Sequence, residues 1–431
     1  STMPSESGPT FATWYIPVLT PATIDDIIRL GMLGMELSRY SGLFVAVKII
    51  TNIADAFQTI NVDLDAWLPV VPEKTFNVSA RWPEDLDAEP RIFDQKLPAI
   101  QEFLKHNRIN EVTHMSSAKK LGIVAVGKSW VDTLTAFQKH NVAPEELGVS
   151  ILKIGMSWPL QEEIITKFCL EHKKILVIEE KSGLVENQLY KLLYTSPYTP
   201  VIHGKDLLTP CMDFDGYEIA RAISTLVDIN FVNDYDTIPQ LEGRLPFFCS
   251  GCPHNTSTTV PEGSKALIGI GCHYIAQLMP SRPTETISPM GYEGTSWIGQ
   301  HEHQEADHIF VNLGDGTYFH SGILAIRQAL ASDATMTYKI LFNDAVAMTG
   351  GQKPDGNLNV PIICQQVLAE GATDVTVVTS NFSNLRGKIP KGVKLYPKEQ
   401  FEEVQLALSK TKGITILIYD QQCATEKRRE I

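Results

Sequence analysis

Runs of apolar residues alternate with amphipathic stretches through most of this chain. In its middle part, apolar runs at 121–127, 150–154 and 175–178 are each followed by a stretch whose apolar residues recur every three to four positions. A continuous apolar run is typical of a strand buried on both faces, and a recurrence of three to four is typical of a helix. The alternation therefore predicts an α/β domain with a doubly wound parallel sheet at 116–205.

A second and longer alternation fills the last part of the chain. Strands are predicted at 266–270, 308–313, 337–342, 374–379 and 414–419, with helices at 321–332 and 361–370. We therefore expect a second doubly wound parallel-sheet domain at 248–431. The predicted fold class is α/β, with two such domains joined by long connectors.

The connectors are two stretches without clear periodicity. Residues 61–115 are rich in proline and acidic residues, and 206–247 are mixed, with one predicted helix near 219–229. Clusters of this kind are typical of segments that join domains.

Residues 1–60 have a different pattern. A helix is predicted around 27–37 and a strand at 43–50, with no strand predicted before the helix. We interpret this segment as the tail of an upstream α/β domain.

Charge and length narrow the classes of function. The chain has 431 residues, and its 37 Lys and Arg against 50 Asp and Glu give a net charge of −13. So acidic a chain repels phosphate backbones, and we expect no nucleic-acid partner. The sequence has no apolar run of the roughly 20 residues that span a bilayer, and no charged leader before an apolar segment. We therefore expect a cytoplasmic protein that does not bind membranes.

Seven cysteines, an odd number, favour a reducing compartment and thiols kept for metal binding or chemistry. Three of them crowd into one stretch, Cys249, Cys252 and Cys272. Taken alone, this spacing is as typical of zinc as of an iron–sulfur cluster, and His254 or His273 with Cys272 would complete a zinc site. Cys423, which follows the last predicted strand, taken alone has the position of an ordinary buried thiol.

Two polar loops follow neighbouring predicted strands of the last domain. The strand at 308–313 runs into Gly314-Asp315-Gly316, and the strand at 337–342 runs into Asn343. Loops at the carboxyl ends of parallel strands form the ligand crevice of doubly wound folds. Carboxylate and amide oxygens suit Mg²⁺ or Ca²⁺, and glycines let the backbone approach a pyrophosphate closely. Alone, a Gly-Asp-Gly sequence is more often a tight turn.

The order of these loops, followed by Thr349-Gly350-Gly351-Gln352, resembles the thiamine diphosphate signature of diphosphate-binding domains. The resemblance implies that Asp315, Asn343 and the carbonyl of Ala345 hold Mg²⁺ against the diphosphate. The cofactor-binding residues it implies are Gly314, Asp315, Gly316, Asn343, Ala345, Thr349 and His254.

The Thr-Gly-Gly-Gln ending and the cysteine spacing together resemble the 2-oxoacid:ferredoxin oxidoreductases, and residues 77–83 and 122–130 extend the resemblance to the fused bacterial indolepyruvate ferredoxin oxidoreductases. This family implies thiamine diphosphate, Mg²⁺ and a [4Fe–4S] cluster held by Cys249, Cys252, Cys272 and Cys423. It implies oxidative decarboxylation of a 2-oxoacid, such as indolepyruvate or another aryl pyruvate, to the acyl-CoA. Coenzyme A and ferredoxin are the implied partners.

The family's domain order assigns residues 116–205 to a transketolase C-terminal-like domain and 248–431 to the thiamine diphosphate-binding domain. By the same domain order, we expect most of the pyrimidine-binding domain and the γ-type domain to lie outside this sequence. The family's catalytic glutamate is expected outside this chain, so no catalytic residue is assigned. We expect a homo-oligomer that works with the remaining domains of the same enzyme.

Three alternatives stay open on the sequence. A non-redox thiamine enzyme, such as a decarboxylase or transketolase relative, would bind Mg²⁺-diphosphate without iron. A zinc-bearing structural or interaction subunit would bind metal and no thiamine. The chain could also be a folded but inactive fragment, because thiamine diphosphate normally lies between two domains.

Overall fold

The computed structural model of the chain describes residues 6–63, 65, 67–74, 76–78, 81–214, 216–227, 245–354 and 356–430. The chain divides into two compact units, Thr2–Gln240 and Leu241–Ile431. Most of the end of the predicted connector 206–247, including the last residues of its predicted helix, lies outside the described residues. No helix in the described ranges is long and apolar enough to cross a membrane.

The first unit contains two sheets. Its strands are β1 Val18–Leu19, β2 Ala46–Val47, β3 Glu111–His114, β4 Leu121–Val126, β5 Val149–Ile154, β6 Met156–Trp158, β7 Lys174–Ile178 and β8 Val201–His203. The larger sheet has the order β3-β5-β4-β7-β8, and all its strands are parallel except β3 at one edge. The smaller sheet has the order β2-β1-β6.

Helices cover both faces of the five-stranded sheet. The α-helices of this unit are Gly8–Thr13, Ile24–Ser41, Thr51–Ala54, Ala88–Arg91, Leu97–His106, Lys128–Lys139, Glu162–Leu170, Leu184–Leu193 and Gly216–Leu226, and shorter or wider turns lie at Glu84–Asp87, Ile92–Lys96 and Pro144–Leu147. Alternate residues of one strand enter different cores: Ile123 packs in one buried cluster, and its neighbour Val124 packs in another. This two-sided burial confirms the predicted doubly wound sheet.

Two expectations for the start of the chain are wrong. A strand, β1, does precede the helix Ile24–Ser41, and the predicted strand at 43–50 is reduced to the two residues of β2. Strand β1 has two residues, too few to show any period in the sequence. It is nonetheless fully buried, because β2 and β6 pair with its two sides.

The predicted connector 61–115 contains a ten-residue helix, Leu97–His106, and strand β3. The helix buries Ile100, Phe103 and Leu104 in one hydrophobic cluster with residues of the helix Ile24–Ser41. Pro98 lies at the start of this helix, directly after the wider turn Ile92–Lys96, and the chain stays helical across it.

The second unit is built on one parallel sheet of seven strands. They are β9 Ala266–Ile268, β10 Thr284–Ile287, β11 Ile309–Gly314, β12 Met336–Phe342, β13 Asp374–Thr379, β14 Lys394–Pro397 and β15 Ile414–Asp420. Their order is β10-β9-β11-β12-β15-β13-β14, and every pairing is parallel. The second doubly wound domain is therefore confirmed as an α/β fold.

The α-helices of this unit are His254–Ser257, Thr295–Gln300, Asp315–Thr317, Ile323–Leu330, Val360–Ala369, Phe382–Leu385, Phe401–Leu408 and Ala424–Arg429, with shorter or wider turns at Cys272–Leu278, His301–His303, Tyr318–Gly322, Ala347–Thr349 and Lys398–Gln400. One face of the sheet carries the main core, which includes Val311, Tyr338 and Ile416. The other face carries a smaller cluster around Leu341 and Leu417. The sheet is thus buried on both faces.

Candidate functional site

The loops with polar chemistry in the second unit lie at one edge of its sheet. Strand β9 has β10 on one side and β11 on the other, so the winding reverses between β9 and β11. Doubly wound folds bind ligands at the carboxyl edge beside such a reversal. Cys272, Asp315, Asn343 and Cys423 follow β9, β11, β12 and β15, which are consecutive neighbours in the sheet.

Asp315 is buried and fully engaged with the backbone. Its Oδ2 accepts the N–H groups of Asn343 at 3.0 Å and Asp344 at 2.8 Å, and its Oδ1 accepts the N–H of Gly316 at 2.8 Å. Burial raises the pKa of Asp315 to about 6, although these three N–H donors act to lower it. The carboxylate is therefore held in one orientation before any cation arrives.

Asn343 is fixed in the same way. Its side-chain Oδ1 accepts the N–H of Ala345 at 3.1 Å, and its Nδ2 lies 3.5 Å from Nε2 of His254. Asp344, between Asn343 and Ala345 in the sequence, has a left-handed backbone conformation with φ of 56°. The turn at 343–345 therefore holds both the side chain of Asn343 and, through two backbone N–H groups, the carboxylate of Asp315.

A cavity of about 230 Å³ opens beside this turn. All seven residues predicted to bind the cofactor line it: His254, Gly314, Asp315, Gly316, Asn343, Ala345 and Thr349. The structure thus brings these residues together, and their roles in binding stay predictions.

The Thr-Gly-Gly-Gln segment closes on itself beside the cavity. The N–H of Val346 donates to the carbonyl of Gln352 at 2.7 Å, and the Thr349 hydroxyl lies 2.7 Å from Gln352 Oε1. Gln352 Nε2 returns a bond to the Thr349 carbonyl at 2.7 Å. The loop therefore has internal hydrogen bonds that hold its shape.

Two neutral histidines face the same cavity. Burial lowers the pKa of His254 to about 4, and burial together with neighbouring His254 lowers the pKa of His273 to about 3. His254 Nδ1 pairs with the Ser257 hydroxyl at 3.1 Å, but Nε2 of His273 is buried without a partner. The His273 ring packs against Gly271, whose φ of 151° disfavours any residue with a side chain. His273 is therefore a polar group available to a ligand.

The four predicted cluster cysteines line a second cavity, of about 110 Å³. They are Cys249, Cys252, Cys272 and Cys423. The two cavities share His254, Cys272, Asn343 and Ala347 in their walls. Burial, followed by the nearby thiols of Cys252, Cys423 and Cys249, raises the pKa of Cys272 to about 11. The Cys272 thiol therefore needs a positive partner to become a thiolate.

Within the described ranges, no three His, Cys, Asp or Glu side chains stand close enough to hold a single metal ion. A zinc ion binds four ligands at about 2.0–2.3 Å each, so its ligands converge on one point. The four cysteines line the cavity of about 110 Å³. His254 and His273 line the adjoining cavity, and His254 is already paired with Ser257.

The helix Ala424–Arg429 connects the two sets of loops. The N–H of Cys423, just before this helix, donates to the carbonyl of Asn343 at 3.1 Å. Arg428 donates to the carbonyl of Ser250, which lies between Cys249 and Cys252 in the sequence. Arg429 donates to the carbonyl of Gly350 at 3.0 Å. The cysteine loop and the Thr-Gly-Gly-Gln loop are thus attached to one short helix.

Two buried charged residues of this unit were not singled out from the sequence. Glu293 is fully buried, its Oε2 accepts the N–H of Gly291 at 2.8 Å, and its Oε1 has no partner. Burial raises the pKa of Glu293 to about 7. Lys339 lies fully buried in β12. A lysine inside an otherwise apolar predicted strand is the one signal that could have indicated it.

The chain is similar to known indolepyruvate oxidoreductases, both by a domain family and over nearly its full length. The indolepyruvate oxidoreductase domain family matches residues 111–238. The chain is 27% identical to the indolepyruvate oxidoreductase subunit IorA of Thermococcus kodakarensis, over 96% of this chain and 67% of that protein. It is 24% identical to IorA of Pyrococcus horikoshii, over 95% of this chain and 66% of that protein. The chain thus spans about two thirds of the length of these relatives.

Solved structures show more distant similarity. A 2-oxoglutarate:ferredoxin oxidoreductase from Magnetococcus marinus matches 43% of this chain and 67% of its own, with a TM-score of 0.32 and 19% identity. A putative thiamin diphosphate-dependent enzyme from Mycobacterium smegmatis matches 94% of this chain and 75% of its own, with a TM-score of 0.29 and 14% identity.

Proposed function

Because the chain is a member of the 2-oxoacid:ferredoxin oxidoreductase family, we propose that it supplies the thiamine diphosphate and iron–sulfur sites of such an enzyme. The enzyme would oxidatively decarboxylate a 2-oxoacid to its acyl-CoA and pass the electrons to ferredoxin. The names of the IorA relatives and of the matching domain favour indolepyruvate or another aryl pyruvate as the substrate.

One observation carries this proposal. The residues of the thiamine diphosphate signature line one cavity, the four cysteines line another, and the two cavities share walls. A non-redox thiamine enzyme has no need for the second cavity. A zinc-bearing structural subunit has no need for the first.

Asp315, Asn343 and the carbonyl of Ala345 would hold Mg²⁺, because they offer the hard oxygen ligands that this ion prefers. Gly314 and Gly316 would let the backbone approach the diphosphate. The buried, unpartnered Nε2 of His273 gives the cavity one further polar contact for a ligand. When bound, thiamine diphosphate supplies the carbanion chemistry and the electron sink of 2-oxoacid decarboxylation.

The four cysteines fit an iron–sulfur cluster in two respects. Thiolate sulfur is the donor that such clusters use, and each cysteine binds a different iron, so the ligands surround a space. That all four cysteines line one cavity of about 110 Å³ supports this assignment. Its common wall with the first cavity would keep the electron path from thiamine site to cluster short.

Other parts of the enzyme would complete the reaction. The catalytic glutamate, the remaining domains, the binding site for ferredoxin and the delivery of coenzyme A are proposed to lie outside the two cavities. We propose a homo-oligomer in the cytoplasm, where the cysteines, all of them free in the structure, stay reduced.

Substitution of Asp315 tests the two-site arrangement. The chain and its Asp315→Ala variant would be titrated anaerobically with thiamine diphosphate in the presence of Mg²⁺, and iron per chain would be measured in parallel. We expect binding to weaken roughly 100-fold, because loss of one buried charged partner costs about 2–5 kcal/mol, while the iron content is unchanged. Asp374→Ala is the matched control, since Asp374 begins β13 at the opposite edge of the same sheet.

The outcomes separate the candidate functions. Equal loss of thiamine binding and iron in Asp315→Ala would contradict two separate sites. Thiamine binding by a wild-type chain that takes up no iron would favour a non-redox enzyme. Zinc binding without thiamine binding would favour a structural subunit.

A further inference from the structure

Lys339 occupies an unusual place for a charged residue. It lies in the centre of β12, between β11 and β15, and is completely buried. The interior strands of a parallel sheet are normally apolar on both faces. Removing an ammonium group from water is costly unless hydrogen bonds replace its hydration, so the position has to be explained by its contacts.

The contacts of Lys339 fit an ammonium group. Its Nζ donates to the carbonyls of Ser257 and Thr259, both at 2.8 Å, and to Oε1 of Gln405 at 3.1 Å. Three acceptors use all three N–H donors of the charged form, whereas a neutral amine would turn its lone pair toward one of the oxygens. The rings of Phe310 and Phe401, 5.4 and 5.6 Å from Nζ, add two cation–π contacts.

Lys339 has no carboxylate partner in the described part of the chain. None of the ion pairs found in the described part of the chain involves Lys339. The charged residue that acts on it is Arg282, another cation, which with burial lowers the pKa of Lys339. Gln405, itself buried, offers an amide where a glutamate would offer a carboxylate. The three hydrogen bonds from Nζ are therefore what offsets the cost of burying an ammonium group here.

The acceptors of Lys339 belong to the segment that carries the cysteine pair. Ser257 ends the one-turn helix His254–Ser257, which directly follows Cys252 and Pro253. The N–H of Ser257 donates to the carbonyl of Pro253 at 3.0 Å, and the Ser257 hydroxyl pairs with His254. A change at Lys339 therefore reaches Cys252 and His254 through one rigid turn.

We propose that Lys339 is a positioning residue of the iron–sulfur site: its ammonium group fixes the turn after Cys252, and its buried charge makes the bound cluster easier to reduce. This inference rests on the proposed function. Nearby positive charge and hydrogen bonding are recognised means by which proteins adjust cluster potentials. In the low-dielectric interior, a unit charge acts over a longer distance than in water.

A neutralising substitution next to Lys339 tests the charge without removing the lysine. Gln405→Glu would place a carboxylate on the ammonium group at nearly the same side-chain volume. We expect the same iron per chain, but a ratio of reduced to oxidised cluster that falls roughly five- to tenfold at a fixed poised potential. Gln405→Met, which removes the acceptor and adds no charge, is the matched control and should change the ratio much less.

Removal of the lysine tests the positioning role. In Lys339→Met we expect less iron per chain after anaerobic reconstitution and faster loss of the cluster in air. Full iron content with an unchanged rate of loss would overturn this role. If Lys339→Met does not fold, Gln405→Glu still decides the charge, because an unchanged reduced ratio at full iron content would overturn it.

The wild-type chain separates this inference from the function on which it rests. A wild-type chain that takes up no iron overturns both. A wild-type chain with a cluster, whose potential is the same in Gln405→Glu, overturns only the electrostatic role of Lys339.

Discussion

The five-stranded and the seven-stranded sheet each have a reversal of the winding, but the chemistry at their carboxyl edges differs. In the five-stranded sheet the winding reverses between β4 and β7, as it does between β9 and β11 in the other. Glu179, just after β7, is buried, but its two oxygens accept the N–H groups of Val185 and Glu186 at 2.8 and 2.9 Å. The cavity beside it is only about 30 Å³.

The seven-stranded sheet leaves its edge open. Two joined cavities of about 230 and 110 Å³ lie there, lined by polar loops and four thiols. The reversal of the winding therefore provides an edge where a ligand can bind. Whether a ligand can bind there depends on whether the polar side chains are already hydrogen-bonded within the protein. The indolepyruvate oxidoreductase domain match covers the closed edge, at residues 111–238, whereas the candidate chemistry lies in the other unit.

The largest effect that would sharpen this comparison is loss of the cluster. Cys423→Ser should reduce iron per chain several-fold, because it removes one of four thiolate ligands. Cys364→Ser is the matched control: that thiol is fully buried in the hydrophobic core of the same unit, and its loss should leave iron unchanged. Iron analysis and the visible spectrum decide, and an unchanged spectrum in Cys423→Ser would exclude this residue as a ligand.

The second prediction compares how one buried glutamate at each edge, Glu293 and Glu179, affects the free energy of unfolding. Burial is the largest cause that raises the pKa of both Glu293 and Glu179 to about 7. A carboxyl whose folded pKa is raised stabilises the fold below the unfolded pKa of about 4.5 and loses this contribution as the pH rises through about 7. For Glu293 the difference amounts to about 3 kcal/mol.

Glu293→Gln should therefore unfold at higher denaturant concentration than the wild type at pH 8, and the difference should vanish near pH 5. The Gly291 N–H can still find the amide oxygen, since the other carboxylate oxygen has no partner. Glu179→Gln should instead lower the free energy of unfolding. Its NH₂ group would face the N–H of either Val185 or Glu186, and two donors cannot bond each other. Equal effects of the two substitutions would contradict the difference drawn between the edges.

A smaller effect is expected in the pH dependence of Mg²⁺-thiamine diphosphate binding. The pKa of Asp315 is raised to about 6, so protons compete with Mg²⁺ below that pH. Affinity should fall roughly tenfold between pH 7.5 and pH 5 in a calorimetric titration. Glu179→Gln should leave this profile unchanged, and a flat wild-type profile would show that Asp315 is not a ligand.

The smallest expected effect is a loss of stability that spares both sites. Asn359 Oδ1 accepts the N–H of Ile362 at 3.0 Å and caps the helix Val360–Ala369. Asn359→Ala should lower the free energy of unfolding by about 1 kcal/mol. Iron content and thiamine diphosphate affinity should not change; if they did, the edge would depend on global stability instead of local contacts.

The interior of both sheets could be predicted from the sequence because continuous apolar runs such as 121–126 and 414–419 are typical of strands buried on both faces. Edge strands such as β10 and β14 could not, since they are short and partly exposed, and the insertion of β15 between β12 and β13 leaves no local signal. The candidate site residues were found because their spacing follows a known signature. Lys339 and Glu293 were missed because a single buried charge is explained only by its partners in space.

The anaerobic visible absorption spectrum of the reconstituted chain, before and after dithionite, tests the central claim most directly. A broad brown absorption that bleaches on reduction is predicted, because four cysteines around one cavity would hold a redox-active iron–sulfur cluster beside the thiamine site. A colourless chain after reconstitution with iron and sulfide would contradict the account.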